Sequence, residues 1–353
     1  MMRDVKLALN ICTYQREEYI QKNLKILQMS RFFDKEQPRY YGRLHIFIVD
    51  NDSRLQIQET EYMHCIHNRN TGGSGGFQRG IEVIRSCGET FSHVIFMDDD
   101  VSFDMSTFYL LFDFLTHVNE KNKDRPVAGR MFCMDRPDIQ YTAAEKWNAG
   151  HISHAEYMRD VRNGTYTPGR VVYDAEADYG GWWFCCFPMD FIRQNDVLPF
   201  FIHCDDVEYG LRCGKKPIII EGVQVWHETY DKRMTPLMQY YDTRNPLFVN
   251  QIHGFLPEVG QVLSEWKDKI TEYHVREDWL TEYYVILAMN DFLKGMDWLK
   301  RIDSAKYHRK LQRMKSCRIK NAICWRIVAC RYRKHFGSGK DRACSVRTKK
   351  IIK

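Results

Sequence analysis

The stretch Val94-Ile-Phe-Met-Asp98-Asp99-Asp100 joins an apolar run to three consecutive carboxylates. The run 93–97 is short and continuously apolar, which is typical of a buried strand. Similar runs occur at 5–12 and 44–49, and helical patterns separate these runs at 17–29, 76–87 and 106–120. Strands that alternate with helices predict an α/β fold, in which helices cover both faces of a parallel sheet.

Polar residues follow each of these predicted strands. They are Thr13–Arg16 after the first, Asp50-Asn51 after the second and 98–100 after the third. In open α/β sheets, ligands bind outside the carboxyl ends of the strands. We therefore expect the functional site at that edge of the sheet.

Length and composition set the class of protein. The chain has 353 residues, 44% of them apolar and 14% aromatic, which excludes a disordered chain. No apolar run reaches the roughly 18–20 residues of a membrane-spanning helix, and the first residues lack the pattern of a signal peptide. The twelve cysteines form no C-x-x-C pair, so we expect free thiols in a reducing compartment. These features predict a cytoplasmic protein.

Charge is distributed unevenly along the chain. The net charge is +6, but the segment 306–353 alone carries +16, so residues 1–305 carry −10. A basic segment on an acidic body indicates a polyanionic partner, either nucleic acid or an anionic membrane, unless the segment is simply solvated. The stretch 322–331 mixes apolar residues with arginine, which favours a helix lying at a membrane surface.

The pattern beyond residue 250 differs from the pattern before it. Long helices of mixed polarity are predicted at 256–273 and 278–299, without strands between them. We therefore predict three parts: an α/β domain at 1–250, a helical region at 251–305, and a basic, amphipathic tail at 306–353.

The three carboxylates suggest a metal site. Adjacent like charges repel one another, and a divalent cation between them removes that cost. Side chains alternate along an extended chain, so Asp98 and Asp100 can face one ion while Asp99 faces elsewhere. The alternative is a solvated loop that caps the following helix.

A glycine-rich stretch, 68–80, precedes a helical pattern. It reads Asn68-Arg-Asn70-Thr-Gly72-Gly73-Ser-Gly75-Gly76-Phe-Gln-Arg79-Gly80. Clustered glycines at a helix start allow backbone N–H groups to approach an anion. The stretch matches neither a Walker loop nor a G-x-G-x-x-G motif, and it is equally typical of a flexible turn.

A second acidic group, Asp205-Asp206-Val-Glu208, begins a helical pattern. The spacing of Asp205 and Glu208 is that of a capping box, which gives both a structural role. Asp206 has no such role and is the better candidate for a general base, although a carboxylate in a first helical turn also complements the helix dipole.

Three further features are ambiguous. Trp182 and Trp183 follow two glycines and either stack on a sugar or belong to the core. His227 ends a predicted strand, as a metal ligand or as a satisfied polar residue. Arg244 follows two tyrosines and is suited to a pyrophosphate or to a surface ion pair.

Taken in chain order, these motifs resemble family 2 inverting glycosyltransferases of the GT-A fold, and in particular bacterial galactofuranosyltransferases. The resemblance covers roughly 5–250. It implies a mixed, mostly parallel sheet flanked by helices, followed by a C-terminal helical region. The motifs that carry it are 13–16, 49–51, 70–77, 97–100, 182–183, 205–206 and 226–228.

The resemblance also implies roles for individual residues. Asp98, Asp100 and His227 match the ligands of Mn²⁺ or Mg²⁺, and Asp206 matches the base that deprotonates the acceptor hydroxyl. The nucleotide-sugar site is matched by Tyr14, Arg16, Asp50, Asn70 and Asp99. The acceptor and sugar wall is matched by Trp182, Trp183 and Asp205.

The function implied is transfer of galactofuranose from UDP-galactofuranose to a lipid-linked glycan acceptor in bacterial surface polysaccharide synthesis. The basic tail would hold the enzyme peripherally at the inner face of the cell membrane. The chain is much shorter than polymerising members of this group, so we expect one or a few additions per acceptor. Two alternatives remain: another donor, such as that of a rhamnosyltransferase, or a nucleic-acid-binding protein acting through its tail.

Overall fold

The computed structural model describes residues 2–164, 166–229 and 235–337. They form two compact units. The first contains residues 1–147, 152–201 and 205–229, and the second contains 148–151, 202–204 and the chain from 230 onwards. The predicted domain boundary at 250 falls inside a helix of the second unit, and part of the predicted tail, 338–353, lies outside the described residues.

The first unit is built around a ten-stranded mixed sheet with a separate two-stranded ribbon, β7–β8. The strands are β1 (Leu7–Thr13), β2 (Leu44–Asp50), β3 (Met63–His67), β4 (His93–Asp98), β5 (Val127–Cys133), β6 (Ile139–Thr142), β7 (Glu145–Asn148), β8 (His151–His154), β9 (Arg159–Asp160), β10 (Val171–Val172), β11 (Cys185–Pro188) and β12 (Ile218–His227). Its helices are α1 (Glu17–Gln28), α2 (Gly72–Ser86), α3 (Ser106–His117), α4 (Met189–Gln194) and α5 (Asp205–Cys213).

Strand order brings the informative strand ends to one edge of the sheet. The order is β10-β12-β5-β11-β4-β1-β2-β3. Strands β4, β1, β2 and β3 pair in parallel, and β12 pairs in parallel with β5. Strand β11 is antiparallel to both β4 and β5, so β5 and β12 run in the same direction as β4. The carboxyl ends of β1, β2, β4 and β12 therefore meet at the same edge.

Helix α2 lies close against the sheet because glycines face it. A Cβ atom added at Gly76 would lie 2.1 Å from Cys12 Sγ, and one added at Gly80 would lie 1.9 Å from Asn10 Oδ1. The Asn10 side chain is buried and donates to the Phe77 carbonyl oxygen at 3.0 Å. The helix starts at Gly72, four residues before the predicted start, so most of the glycine-rich stretch is helical rather than a loop.

Apolar side chains cover both faces of the sheet, as the continuous apolar strands predict. One cluster contains Ile48, Met97 and Trp183, and the other contains Phe47, Phe96 and Trp182. Together with the parallel β1, β2 and β4, this confirms the predicted fold class: an α/β sheet, mixed but mostly parallel, flanked by helices and followed by a helical region.

The second unit is helical. It contains α6 (Pro236–His253), α7 (Val259–Val275), α8 (Trp279–Phe292), α9 (Met296–Arg301), α10 (Ser304–Gln312) and α11 (Arg318–Phe336). The predicted helix 278–299 is divided in two, because Gly295 has a positive φ of 81° between α8 and α9. Among the described residues, none of the helices is apolar over a length that would cross a bilayer.

Candidate active site at the carboxyl edge of the sheet

The loop after β4 is held against the end of β12 by the backbone. The N–H groups of Ser102 and Trp226 each donate to the carbonyl oxygen of the other residue at 2.8 Å. This pairing brings His227, the last residue of β12, to the carboxylates that follow β4. Sequence spacing could not predict this contact, because more than 120 residues separate the two segments.

Asp98, Asp100 and His227 form a cluster with the donor set of a metal site. Each offers one ligand atom, and these atoms all lie within 4.8 Å of one another. His227 Nε2 is 3.0 Å from Asp100 Oδ1 and 4.0 Å from Asp98 Oδ2. The other ring nitrogen, Nδ1, is 2.7 Å from the Glu228 carbonyl oxygen, a geometry that orients the ring and points Nε2 at the two carboxylates.

The electrostatics of this cluster favour a cation. Burial raises the pKa of Asp98 to about 7, His227 opposes that shift, and the charges of Asp100, Asp99 and Asp205 add to it. Carboxylates that resist ionisation together are stabilised when a divalent cation lies among them. Two carboxylates and an imidazole are ligands that suit Mn²⁺. They also suit Mg²⁺, although Mg²⁺ prefers oxygen to nitrogen ligands more strongly than Mn²⁺ does.

Asp99 is not part of this cluster, as predicted, although it lies in the turn after β4 and not in an extended strand. Its carboxylate accepts a hydrogen bond from Thr13 Oγ1 at 2.6 Å and one from Arg16 Nη1 at 2.7 Å. The same Arg16 nitrogen is 2.8 Å from Asp100 Oδ2, so the guanidinium bridges two neighbouring carboxylates. The contact arises because β1 lies beside β4, with Cys12 opposite Asp98.

A pocket of about 360 Å³ adjoins the acidic loop. Residues of two loops line it, 13–17 and 50–55, and it shares Thr13 and Arg16 with the contacts of Asp99. Asp50 is buried at its rear, where its carboxylate accepts hydrogen bonds from the backbone N–H groups of Asp52, Arg54 and Leu55 at 2.6–2.9 Å. Asp50 therefore organises the loop that forms one wall. The Tyr14 ring is 44% exposed, in the loop that forms the other.

The start of α2 has a structural explanation. Asn70 Oδ1 accepts from the N–H of Gly72 at 3.0 Å, and Asn51 Nδ2 donates to the Gly72 carbonyl oxygen at 2.9 Å. The side chain of Asn70 thus receives one of the backbone donors at the helix start. Gly76 and Gly80 allow α2 to pack closely on Cys12 and Asn10, a role that the prediction of an anion-binding loop did not include.

Asp205 and Asp206 begin helix α5 and differ in their surroundings. Asp205 Oδ2 accepts from Ser74 Oγ at 2.8 Å, which ties α5 to α2. Asp206 Oδ1 accepts from the Val207 N–H at 2.7 Å. Burial, and then the charge of Asp205, raise the pKa of Asp206 to about 8. Glu208, expected in a capping box with Asp205, accepts from Arg212 one turn later.

The acidic residues converge on one point beneath the site. The pKa of the Cys12 thiol is raised well above its usual value by burial first, and then by the charges of Asp99, Asp98, Asp205 and Asp50. These carboxylates come from the ends of β2, β4 and the start of α5. The structure thus brings together the predicted metal, nucleotide and base residues of the first unit.

The two tryptophans are core residues. Trp182 is 4% exposed and stacks on Phe96 with ring centroids 4.5 Å apart, and Trp183 is 3% exposed and donates from Nε1 to the Gly129 carbonyl oxygen. They lie in the clusters on opposite faces of the sheet. Neither tryptophan therefore exposes a ring face on which an acceptor sugar could stack. The glycines before them allow this segment to pack into the core.

Arg244 lies in α6 of the second unit and is buried. Its guanidinium carbon is 5.1 Å from the ring centroids of both Tyr240 and Tyr241, and its nitrogens donate to Asn245 Oδ1 and to the Tyr240 hydroxyl. These contacts differ from the surface ion pair that was one of its two predicted roles.

One polar residue, Asn23, supports the site without having been predicted, beside Thr13 and Ser74 of the predicted motifs. Asn23 of α1 is buried and donates to the carbonyl oxygens of Asp99 and Val101, both at 3.1 Å. Ser74 and Thr13 donate to the carboxylates described above. A buried asparagine within an amphipathic helix was the available signal for Asn23, because a buried amide requires partners.

The carboxyl edge of this α/β sheet thus combines acidic strand ends, a group of residues that could hold a divalent metal, and an adjoining pocket. Residues 9–171, somewhat less than half of the chain, match the family described as Glycosyl transferase family 2. This match bears out the predicted resemblance to family 2 glycosyltransferases for these residues.

Two curated relatives are galactofuranosyltransferases. The chain is 27% identical to galactofuranosyltransferase GlfT2 of Mycolicibacterium smegmatis over 251 residues, and 27% identical to that of Mycobacterium tuberculosis over 253 residues. Each match covers 65% of this chain but 38% of the relative. The chain therefore corresponds to well under half the length of the relatives that it matches.

Two solved structures show a distant likeness. A crystal structure of GalNAc-T7 with UDP, GalNAc and Mn²⁺ has a TM-score of 0.47 at 9% identity, over 70% of this chain and 48% of that one. A mannosyltransferase of Pyrobaculum calidifontis, PcManGT, in complex with GDP-Man and Mn²⁺, has a TM-score of 0.40 at 11% identity, over 92% of this chain and 86% of that one.

Proposed function

We propose that this protein is a metal-dependent, inverting glycosyltransferase that uses UDP-galactofuranose. One observation carries the proposal: a cluster of two carboxylates and a histidine shares Arg16 with a pocket at the carboxyl edge of a family 2 domain. The galactofuranosyltransferase relatives support the choice of donor, and another donor, such as the dTDP-rhamnose of a rhamnosyltransferase, is the alternative.

Asp98, Asp100 and His227 would hold the cation. The geometry fits, because the Nδ1 contact with Glu228 directs Nε2 towards both carboxylates. When bound, Mn²⁺ or Mg²⁺ would act as a Lewis acid that stabilises the charge of the departing UDP. Arg16 has a second role in this proposal: its guanidinium faces both the carboxylates and the pocket, where a diphosphate would offer further oxygens.

The nucleotide would occupy the pocket between the two loops. Its walls contain Arg16 and the loop that Asp50 organises, with Tyr14 beside it and Asn70 at the start of α2. Asp99 contributes by holding Arg16 and Thr13 in position. The exposed Tyr14 ring is suited to stacking on a base.

Asp206 would remove the proton of the attacking hydroxyl. Its raised pKa, about 8, makes it a stronger base than an ordinary aspartate, and a base works best when its pKa lies near the working pH. Asp205 would orient the acceptor and, through its charge, strengthen that base. Attack opposite the leaving UDP gives inversion at the sugar carbon.

The acceptor in this proposal is a lipid-linked glycan of a bacterial surface polysaccharide. Extending such an acceptor requires the enzyme at the inner face of the membrane, where anionic lipid attracts basic segments with about 1 kcal/mol per Lys or Arg. The segment 306–353, with its charge of +16, supplies that attraction.

The donor is tested by measuring UDP or dTDP release from a panel of nucleotide sugars, each with and without Mn²⁺. The panel contains UDP-galactofuranose, UDP-galactopyranose, UDP-N-acetylglucosamine and dTDP-rhamnose, with a synthetic lipid-linked acceptor. We expect Mn²⁺-dependent release from the furanose alone. Turnover of another donor would replace the proposed substrate, and failure to bind UDP–Mn²⁺ would contradict the enzyme assignment itself.

Two substitutions separate the metal site from the base. Asp206→Asn keeps the oxygen that accepts from Val207, and we expect it to lower kcat by about 100- to 10,000-fold while UDP–Mn²⁺ still binds. His227→Ala should instead weaken Mn²⁺-dependent UDP binding. Asp104→Asn is the matched control, because Asp104 is an exposed carboxylate in the loop after β4 that is not part of the metal cluster. Near-normal turnover of Asp206→Asn would exclude it as the base.

A further inference from the structure

Helix α11 has one buried face. Asn321, Val328, Ala329 and Tyr332 are buried. Asn321 Nδ2 donates to the Trp279 carbonyl oxygen and to Glu282 Oε2, both at 2.8 Å, and the Tyr332 ring lies 6.3 Å from that of Trp266. These contacts fix α11 against α7 and α8, so its rotation about its own axis is determined.

The opposite face of α11 exposes three isoleucines. Ile319, Ile323 and Ile327 are 74%, 55% and 53% exposed. Their spacing of four residues places them in one row along the helix, which we call the isoleucine stripe. A single exposed apolar side chain needs no explanation, but a row of three on a packed helix is a surface that water solvates poorly.

Cations border the isoleucine stripe on both sides. At 100° per residue, Lys320 and Arg331 fall on one side of it and Arg326 and Arg333 on the other. Within the described part of the chain, none of the four pairs with a carboxylate: Lys320 lies over the Tyr283 ring at 3.9 Å, and Arg331 donates to Asn290 Oδ1. Their charges are therefore available to an anionic partner.

Helix α10 of the same unit adds a second group of cations. Lys306, Arg309 and Lys310 of α10, and Arg313 directly after it, line an open cavity of about 620 Å³, which Asp303 also lines. All four are exposed, and none forms an ion pair with a carboxylate of the described residues. The helical unit thus concentrates uncompensated positive charge on the helices that precede and include the isoleucine stripe.

We propose that α11 is a membrane-contact helix, which lies in the headgroup region of an anionic bilayer with the isoleucine stripe inserted and the bordering cations on lipid phosphates. This deepens the proposed function, on which it rests for the presence of a lipid-linked acceptor. A helix that presents an apolar row with basic borders to its surroundings can bind in this way without spanning the bilayer. Nucleic acid would satisfy the cations but would leave the three isoleucines in water.

Insertion and simple charge attraction make different predictions. Charge attraction by the tail is screened by salt and does not depend on the isoleucines, whereas insertion adds a term from buried apolar area that salt does not screen. A variant that removes the stripe and keeps every charge therefore separates the two.

The experiment measures partition of the full chain between buffer and vesicles by flotation. Vesicles contain phosphatidylcholine alone or with about 30% phosphatidylserine, the anionic component. The test variant combines Ile319→Ser, Ile323→Ser and Ile327→Ser. The control variant combines Met29→Ser, Ile152→Ser and Val275→Ser, which are also exposed apolar residues but lie on other elements.

We expect the unaltered chain and the control variant to bind the anionic vesicles. The test variant should bind them with an affinity lower by about tenfold or more, and the difference should be largest at high salt. Circular dichroism and UDP–Mn²⁺ binding, measured on all three, show whether the fold and the donor site are retained. Equal binding of the test variant and the unaltered chain would overturn the proposal, as would preference for duplex DNA over the vesicles. Because the vesicle assay contains neither donor nor metal, its failure is distinct from failure of the proposed enzyme activity.

Discussion

Asp205→Asn should move the pH dependence of the reaction while leaving the base in place. Asp205 is adjacent to Asp206, and its charge is the second cause, after burial, of the raised pKa of Asp206. Asparagine removes that charge and keeps one oxygen, which can still accept from the N–H of Asp206, 3.2 Å from Asp205 Oδ1; its amide nitrogen replaces the oxygen that accepts from Ser74, whose hydroxyl can turn to accept instead. The substitution therefore changes electrostatics with little change in shape.

The size of the effect follows from the adjacency of the two carboxylates and from ordinary like-charge interactions. The pKa of Asp206 is about 8, so only about a tenth of the base is ionised at about pH 7. A neighbouring carboxylate raises a pKa by about 1–2 units, and removing it should bring the pKa of Asp206 to about 6–7 while burial still acts. More of the enzyme is then ionised near pH 7, but each base is weaker, so we expect kcat to rise by about two- to fivefold there and not at all at about pH 9.

The assay is steady-state UDP release from about pH 6 to about pH 9.5 at fixed metal concentration, for the unaltered enzyme and Asp205→Asn. A bound cation lowers the pKa of Asp206 in both proteins, so the difference between their acid limbs is the quantity compared. An acid limb that does not move would refute the electrostatic coupling of the two residues. Loss of kcat at every pH would make Asp205 the base, whereas a raised KM for the acceptor with a shifted limb would support both of its proposed roles.

Three other predictions concern different parts of the molecule. Arg16→Gln should tighten the binding of Mn²⁺ alone, because the guanidinium no longer competes for the carboxylates of Asp99 and Asp100. The same substitution should weaken the binding of UDP, and titration calorimetry measures both effects. Weaker binding of the metal alone would contradict this prediction. Gly80→Ala should lower the free energy of unfolding by about 1–3 kcal/mol in urea, since the added Cβ meets Asn10, while the control Gly260→Ala, whose Cβ meets no atom within 4 Å, should be neutral or slightly stabilising. Asp206→Asn should raise Tm at about pH 9 and have little effect at about pH 4. The pKa of Asp206 is higher in the folded than in the unfolded chain, so this carboxyl lowers the stability of the folded protein as pH rises from the unfolded pKa to the folded one. A gain in Tm that is independent of pH would contradict this prediction.

The parallel part of the fold could be predicted because its strands are buried on both faces and read as continuous apolar runs. Strands β1, β2 and β4 begin and end within two residues of their predicted bounds. The short antiparallel strand β11 could not be predicted, because four residues carry too little periodicity. Helix α2 was expected to start later, because the local conformational preference of glycine favours loops. The glycines within this helix are explained only by its close packing on Cys12 and Asn10, which the sequence does not show.

The residues of the candidate site that lie at the ends of strands could be predicted from the sequence. Asp98, Asp100 and His227 end or follow β4 and β12, so the rule about sheet edges placed them at one edge, but only the family resemblance joined them into one metal site. The contacts of Arg16 with Asp99 and Asp100 depend on the pairing of β1 with β4, which no local pattern contains. The burial of Trp182 and Trp183 likewise depends on the segment's position between two core clusters.

The first turn of α2 links two parts of the site mechanically. Gly72 accepts from Asn51 on the side of the pocket and approaches the Phe201 backbone so closely that a Cβ would lie 2.0 Å from its carbonyl oxygen. Two residues later, Ser74 holds Asp205 at the start of α5. A displacement of this turn therefore moves the loop after β2 and the start of α5 together. One turn of helix thus serves as a common reference for both, so a change that loosens one is expected to misalign the other.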